Sequence, residues 1–251
     1  MFYEPVQTER FFNEGQLYSS IDWDDFRVIV TAWDRRIRGW YIDPVEVMLS
    51  RDVEGLAQKL LLWWTKRPNP GHYAFTVLSI SCLLIDALSQ YRFGKLKSTG
   101  DTFRKFIEDC LPSYGGTLST NTWHYDHAYN TNGRLITKHS EALWNGFRCG
   151  ILHQAHAPLN CGVIPGNSPP TMEPTNHAQY GPSAGNAATV VGSNCPVVVL
   201  RPEHLFDEIT DFLDGYVRDL IDPASRHDGL RDDFKKKFTD SFGVDIAGAS
   251  L

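Results

Sequence analysis

No two cysteines in this chain are spaced as Cys-x-x-Cys, and the five present (Cys82, Cys110, Cys149, Cys161, Cys195) are odd in number and far apart. That excludes a zinc-finger spacing and a dense disulfide framework, and it points to buried thiols in a reducing compartment. Long apolar runs are also missing, since none approaches the about 20 residues that cross a bilayer. The nearest stretch, residues 73–91, is interrupted by Ser79, Ser81, Asp86, Ser89 and Gln90 and reads as a buried helix. The opening residues, MFYEPVQTERFF, carry early acids and no apolar core behind a basic stretch, so no secretory signal is expected. A cytoplasmic protein without a membrane partner is the resulting expectation. There is no phosphate loop ending in Gly-Lys-Ser/Thr, no strand–Gly-x-Gly-x-x-Gly–helix unit, no Gly-x-Ser-x-Gly elbow and no His-Glu-x-x-His pair. No cofactor and no metal are therefore expected.

What is present suits a folded core. Of 251 residues, 42% are hydrophobic and 12% aromatic, which argues against general disorder. The net charge of −6 works against a phosphate-rich partner, because phosphate contacts rest on Lys and Arg. Basic residues nevertheless gather at Arg35-Arg36-Arg38, Lys95-Lys97, Arg104-Lys105 and Lys235-Lys236-Lys237. Each cluster reads as a solvated face or as a local basic patch.

Apolar residues recur at helical spacing over residues 23–37, where Phe26, Val30, Trp33 and Ile37 share a face behind Asp22. Asp43-Pro44 with Glu46 predicts a helix start, and another helix is expected over residues 53–64. The most apolar helix is expected over 72–93 with Gly94 as its stop, followed by a start at Thr99–Asp101 and an end before Pro112. Residues 113–133 read as a loop, periodicity resumes over 140–154, and residues 158–185 read as a long irregular insertion. Residues 188–191 and 197–200 predict one small hairpin, Arg201-Pro202 opens a helix to about 221, and a short basic helix is expected over 230–238. The expected architecture is all-α: one helical-bundle domain over 1–251 with one β-hairpin, the loop insertion 158–185 and a C-terminal tail over 222–251.

The segment that carries chemistry is residues 142–154. Leu143, Phe147, Ile151 and Gln154 mark one stripe, and Arg148 and His153 fall outside it. Five residues on a helix turn by about 140° and rise roughly 7.5 Å, so the two side chains meet only across a groove. Gly146 and Gly150 leave a bare strip for another helix or a second subunit.

The phrase FRCGILHQAHAP, with Arg148 and His153 in the pattern Arg-x4-His, resembles the signature of the HEPN superfamily. SISCLLIDALSQYRFG with Asp86, FRKFIEDCLP, and VVVLRPEHLFDEITDFLDGYVRDL resemble the parts that flank that signature, so the likeness covers roughly residues 73–220. The resemblance implies a helical bundle that cleaves RNA without metal as a homodimer, in the manner of a toxin of a toxin–antitoxin or anti-phage system, with an antitoxin protein as partner. On that model His153 is the general acid or base and Arg148 holds the scissile phosphate, with Asp86, Cys149 and His156 in support. The chemistry fits these residue types: an imidazole titrates near neutrality, and a guanidinium offers fixed charge and forked donors to phosphate oxygens. Active members commonly place a polar residue, often Asn, directly after the arginine, where this chain has Cys149.

Three alternatives stay open. Arg148 can be structural, paired with Asp86 or Glu141, with His153 favoured by a helix C-terminus. A HEPN fold without catalysis would bind RNA, a nucleotide or a partner protein through the same cleft. His124, His127, His139, His153 and His156, with Asp126 and Cys149, would hold zinc if brought to one face, although His124 and His127 sit in loop sequence. Trp63-Trp64 beside Lys66-Arg67 offers base stacking next to cations or, more plainly, core and rim.

Overall fold

The computed structural model describes residues 21–50, 73–117, 123–124, 135–136, 138–154, 161–163, 169–174, 196–224 and 227–251; at positions 50, 123–124, 135–136, 153–154, 161, 171–174 and 196–198 the description is of backbone alone. The described residues are mainly helical, as composition and periodicity predicted. The helix expected over 53–64, the Trp63–Arg67 segment and residues 188–191 lie outside them.

The chain divides into two compact units. The first holds Met1–Arg67, Leu83–Phe106 and Asp207–Leu251, and the second holds Pro68–Cys82 and Ile107–Phe206.

In the first unit, helix α1 (Phe26–Ile37) starts because the Asp25 carboxylate accepts hydrogen bonds from the backbone N–H groups of Arg27 (2.8 Å) and Val28 (3.2 Å). Phe26, Val30, Trp33 and Ile37 are buried, so the predicted face is the core face. The expected start at Asp43 is not a start. The chain is already helical there, passing through a π-helical turn (Arg38–Ile42) into α2 (Asp43–Ser50), with the Asp43 N–H donating to the Arg38 carbonyl. Proline inside an α-helix clashes with the carbonyl four residues back, and the widened turn ahead of Pro44 relieves that clash without breaking the helix.

Helix α3 (Tyr73–Arg92) ends where predicted. Gly94 takes φ +57°, and the Lys95 N–H reaches back to the Gln90 carbonyl at 2.9 Å, a Schellman closure. By length and composition α3 is apolar enough to cross a membrane, but half of its most apolar window is covered by protein. Ser81, Asp86 and Ser89 are among its buried residues. Helix α4 (Gly100–Cys110) opens with a reciprocal cap, Thr99 N–H to Thr102 Oγ1 (3.0 Å) and Thr102 N–H to Thr99 Oγ1 (3.2 Å).

In the second unit, residues 123–124, expected to be loop, carry a short strand. β1 (Trp123–His124) pairs antiparallel with β2 (Leu135–Ile136). The insertion read as irregular over 158–185 contains β3 (Cys161–Val163) and β4 (Thr171–Pro174). Both flank β5 (Pro196–Leu200), β3 parallel and β4 antiparallel, in the order β3-β5-β4. The second strand of the expected hairpin, residues 197–200, lies in this small mixed sheet, while its first strand, 188–191, is outside the described residues. Pro174 and Pro196 face each other at its end, where a missing N–H costs the ladder least. The helix that follows β2 runs as α5 (His139–Ala142), a π-helical stretch (Leu143–Arg148) and α6 (Cys149–Gln154).

Helix α7 (Pro202–Ile221) and helix α8 (Asp228–Phe242) complete the described elements. α8 is longer than the sequence suggested and belongs to the core of the first unit, which is a helical bundle. Phe234 stands 5.2 Å from Trp33, edge-on, and 5.5 Å from Tyr91, and all three rings are buried. Beyond α8, the Ser250 carbonyl accepts from the Phe26 N–H (2.9 Å), and the Ser250 N–H donates to Asp24 (3.0 Å), pinning the segment 243–251 to the start of α1.

Candidate functional site

The helix bearing Arg148 is anchored at its first turn. Glu108 of α4 receives the buried Ser140 hydroxyl on Oε1 at 2.6 Å and the Lys138 ammonium on Oε2 at 2.8 Å. One carboxylate therefore grips both sides of the helix entry, a long-range contact that no local pattern announces. Close packing backs it, since a side chain at Gly115 would lie 2.8 Å from the Glu108 carbonyl oxygen.

From there the helix widens, with the Cys149 N–H donating to the Trp144 carbonyl five residues back. Steps of four residues overshoot a full α-helical turn by about 40°. The wider turn absorbs part of that drift and keeps Leu143, Phe147 and Ile151 together on the buried side. Arg148 is half-buried, and its guanidinium carbon lies 4.6 Å over the Trp144 ring. Cys149 is half-buried. His153 lies on the backbone of α6, its side chain outside the described residues, and His156 lies outside them altogether.

Gly146 and Gly150 are both buried within the single chain, so their strip is covered without a second subunit. Asp86 is 9% exposed and belongs to the first unit, where its carboxylate accepts the Ser98 hydroxyl at 2.6 Å and its main-chain carbonyl accepts Ser89 Oγ (3.0 Å) and Gln90 Nε2 (2.9 Å). Among the described residues no group of three His, Cys, Asp or Glu side chains gathers as a metal site; His124, His127 and Asp126 contribute no described side chain. His139 is half-buried, and burial holds its imidazole below the ordinary histidine pKa of 6.5.

The structure also brings together what the sequence kept apart. In the first unit, a cavity of about 260 Å³ opens between the end of α1 with its π-turn, the C-terminal end of α3 and the end of α8. Trp33, Arg36, Trp40, Tyr91, Lys237 and Phe242 are among its walls. The basic clusters at 35–38 and 235–237 each send one residue there. Of the others, Arg38 is paired with Asp34 and Asp214, Lys235 donates to the carbonyls of Ala247 and Ala249, and Arg35 and Lys236 are exposed.

The chain matches no protein-family model, and neither the curated proteins nor the solved structures include a significant match to it.

Proposed function

We propose that this protein is a HEPN-like endoribonuclease that cleaves RNA without a metal ion, acting as a homodimer of the toxin type and held in check by an antitoxin protein. What supports the reading is one observation. Arg148, first of the Arg-x4-His pair, is half-buried on a well-anchored helix and braced by an indole ring rather than sunk in the interior. A π-turn ends at that arginine, and such turns recur at functional positions.

In the proposed reaction a ribose 2′-hydroxyl loses its proton to a base and attacks the adjacent phosphorus. The 2′-oxygen–phosphorus bond forms, the bond to the 5′-oxygen breaks, and the leaving oxygen takes up a proton. His153 and its copy in a second subunit divide the base and acid roles, and Arg148 stabilises the charge on the phosphorane oxygens.

The test is RNA cleavage by the purified chain in excess chelator. His153→Ala lowers the rate by about 10²- to 10⁴-fold, as expected for losing a general acid–base group, and Arg148→Ala abolishes activity. RNA left intact by the wild type, or cleavage that survives both substitutions, overturns the proposal.

Cys149 favours a second reading, a HEPN-like fold that binds RNA, a nucleotide or a partner protein without cutting. A thiol beside the arginine is a weak donor and acceptor where an amide would be stronger. Saturable RNA binding with no product separates this reading from the first.

A further inference from the structure

The cavity of the first unit shares no lining residue with the Arg148 helix, and its walls are unusual for a chain of net charge −6. Among the described residues it is lined by two cations, Arg36 and Lys237, and by no carboxylate. Two acids outside the wall act on it, Asp240 through its field on Lys237 and Asp86 through its field on Tyr41.

Lys237 is 9% exposed, and its ammonium donates to the Leu96 carbonyl at 3.1 Å. An ammonium carries three donors, and burying one is unfavourable unless opposite charge or acceptors face it. Arg36 is held on flat surfaces, with its guanidinium carbon 4.2 Å from the Trp40 ring centre and 5.0 Å from that of Phe242. Trp40 itself is 54% exposed, a large indole kept at the rim of the cavity. Gln90 and Ser241 add polar groups to the wall. A small concave site walled by five aromatic rings (Trp33, Trp40, Tyr41, Tyr91 and Phe242) with a few convergent polar groups has the lining of a small-molecule pocket. The π-turn Arg38–Ile42 supplies Trp40 and Tyr41 to it.

We propose that this cavity binds a small molecule with a flat aromatic body and an anionic head (carboxylate, sulfonate or phosphate), the body stacking at Trp40 and the head meeting Arg36 and Lys237. Both an aryl acid and a mononucleotide have this chemistry. The site does not depend on the ribonuclease reading.

The experiment is a fluorescence titration of the full chain with 8-anilinonaphthalene-1-sulfonate, followed by displacement. 2-Naphthoate displaces the probe at a concentration at least about tenfold below that needed with 2-naphthalenemethanol, the neutral counterpart, because one charge-assisted contact is worth that factor. Adenosine 5′-monophosphate is a second competitor. Displacement matching that by naphthoate assigns the site to a nucleotide, and failure beside a successful naphthoate assigns it to an aryl acid. Trp40→Ala, Arg36→Gln and Lys237→Gln each weaken probe binding at least about fivefold, an effect of the size of one cation–π or charged contact. Lys237 is buried and its variant can lose the fold, so Trp40→Ala and Arg36→Gln, checked by near-ultraviolet circular dichroism, keep the test decisive. Equal displacement by the neutral and anionic naphthalenes, or folded variants that bind the probe as the wild type does, overturns the assignment.

Discussion

The Arg148 guanidinium carbon lies over the ring of Trp144, four residues earlier on the same helix, 4.6 Å from the ring centre. A stack of this kind restricts a long, flexible side chain and is worth about 0.5–2 kcal/mol. If Arg148 holds the scissile phosphate, Trp144→Ala lowers kcat/KM for a fluorogenic RNA by about 2- to 30-fold, the same energy expressed as a rate. Trp144→Phe, a weaker cation–π partner, gives a smaller loss. Unchanged cleavage in a folded Trp144→Ala protein removes the indole from the mechanism.

The entry of that helix depends on Glu108. Ser140→Ala deletes a buried hydroxyl that donates to a carboxylate at 2.6 Å and lowers unfolding free energy by about 1.5–3 kcal/mol. The Lys138 bond to the same carboxylate lies nearer the surface, so Lys138→Met changes stability by less than about 1 kcal/mol. Urea unfolding of the two variants gives this order directly. A reversed order means that the helix entry is held by charge at the surface and not by the buried hydroxyl.

Much of the helical frame was legible because its signals are local. Gly94, Thr99 and Pro202 mark helix ends through their own backbone preferences, and the face of α1 follows from spacing alone. Asp43-Pro44 misled because the same two residues that open a helix also fit a widened turn inside one. The strands within 158–185 stayed hidden because Cys161–Val163 and Thr171–Pro174 are short, and their partner lies beyond residue 195. The cavity was invisible for the same reason: Arg36 and Lys237 are far apart in the chain, and nothing in either cluster says which cation turns inward. At the candidate ribonuclease site, the sequence placed Arg148 and His153 on a helix, but the Glu108 anchor needs a tertiary contact to be seen.

Two glycines with left-handed backbone separate conformational cost from steric cost. Gly243 caps α8 at φ +68° with nothing within 4 Å of where an alanine methyl would sit, so Gly243→Ala costs about 1–2 kcal/mol from backbone strain alone. Gly94 has φ +57°, and a methyl there would lie 2.5 Å from Asp233 Oδ1 and 3.1 Å from the Asp233 Cα. Gly94→Ala therefore destabilises more than Gly243→Ala, because the α3 closure must shift against α8 as well. Equal midpoints in urea for the two variants contradict this close approach.

His139 gives the protein a pH-dependent loss of stability whose direction follows from burial. Its imidazole is half-buried, Nδ1 has no hydrogen-bond partner among the described residues, and desolvation lowers its pKa from the ordinary 6.5. The unfolded chain, with a freely solvated imidazole, takes up the proton first as the pH falls. Stability from this residue is thus intact above pH 6.5 and declines below it, until the folded protein also protonates at its lower pKa. His139→Gln removes the titration while keeping a polar side chain of similar reach. The difference in unfolding free energy between wild type and variant should change with pH below 6.5, with the wild type losing ground, and should be constant above it. A difference that is flat through the acidic range means that the His139 proton is bound equally in the folded and unfolded chains, and that its burial has no effect on the charged form.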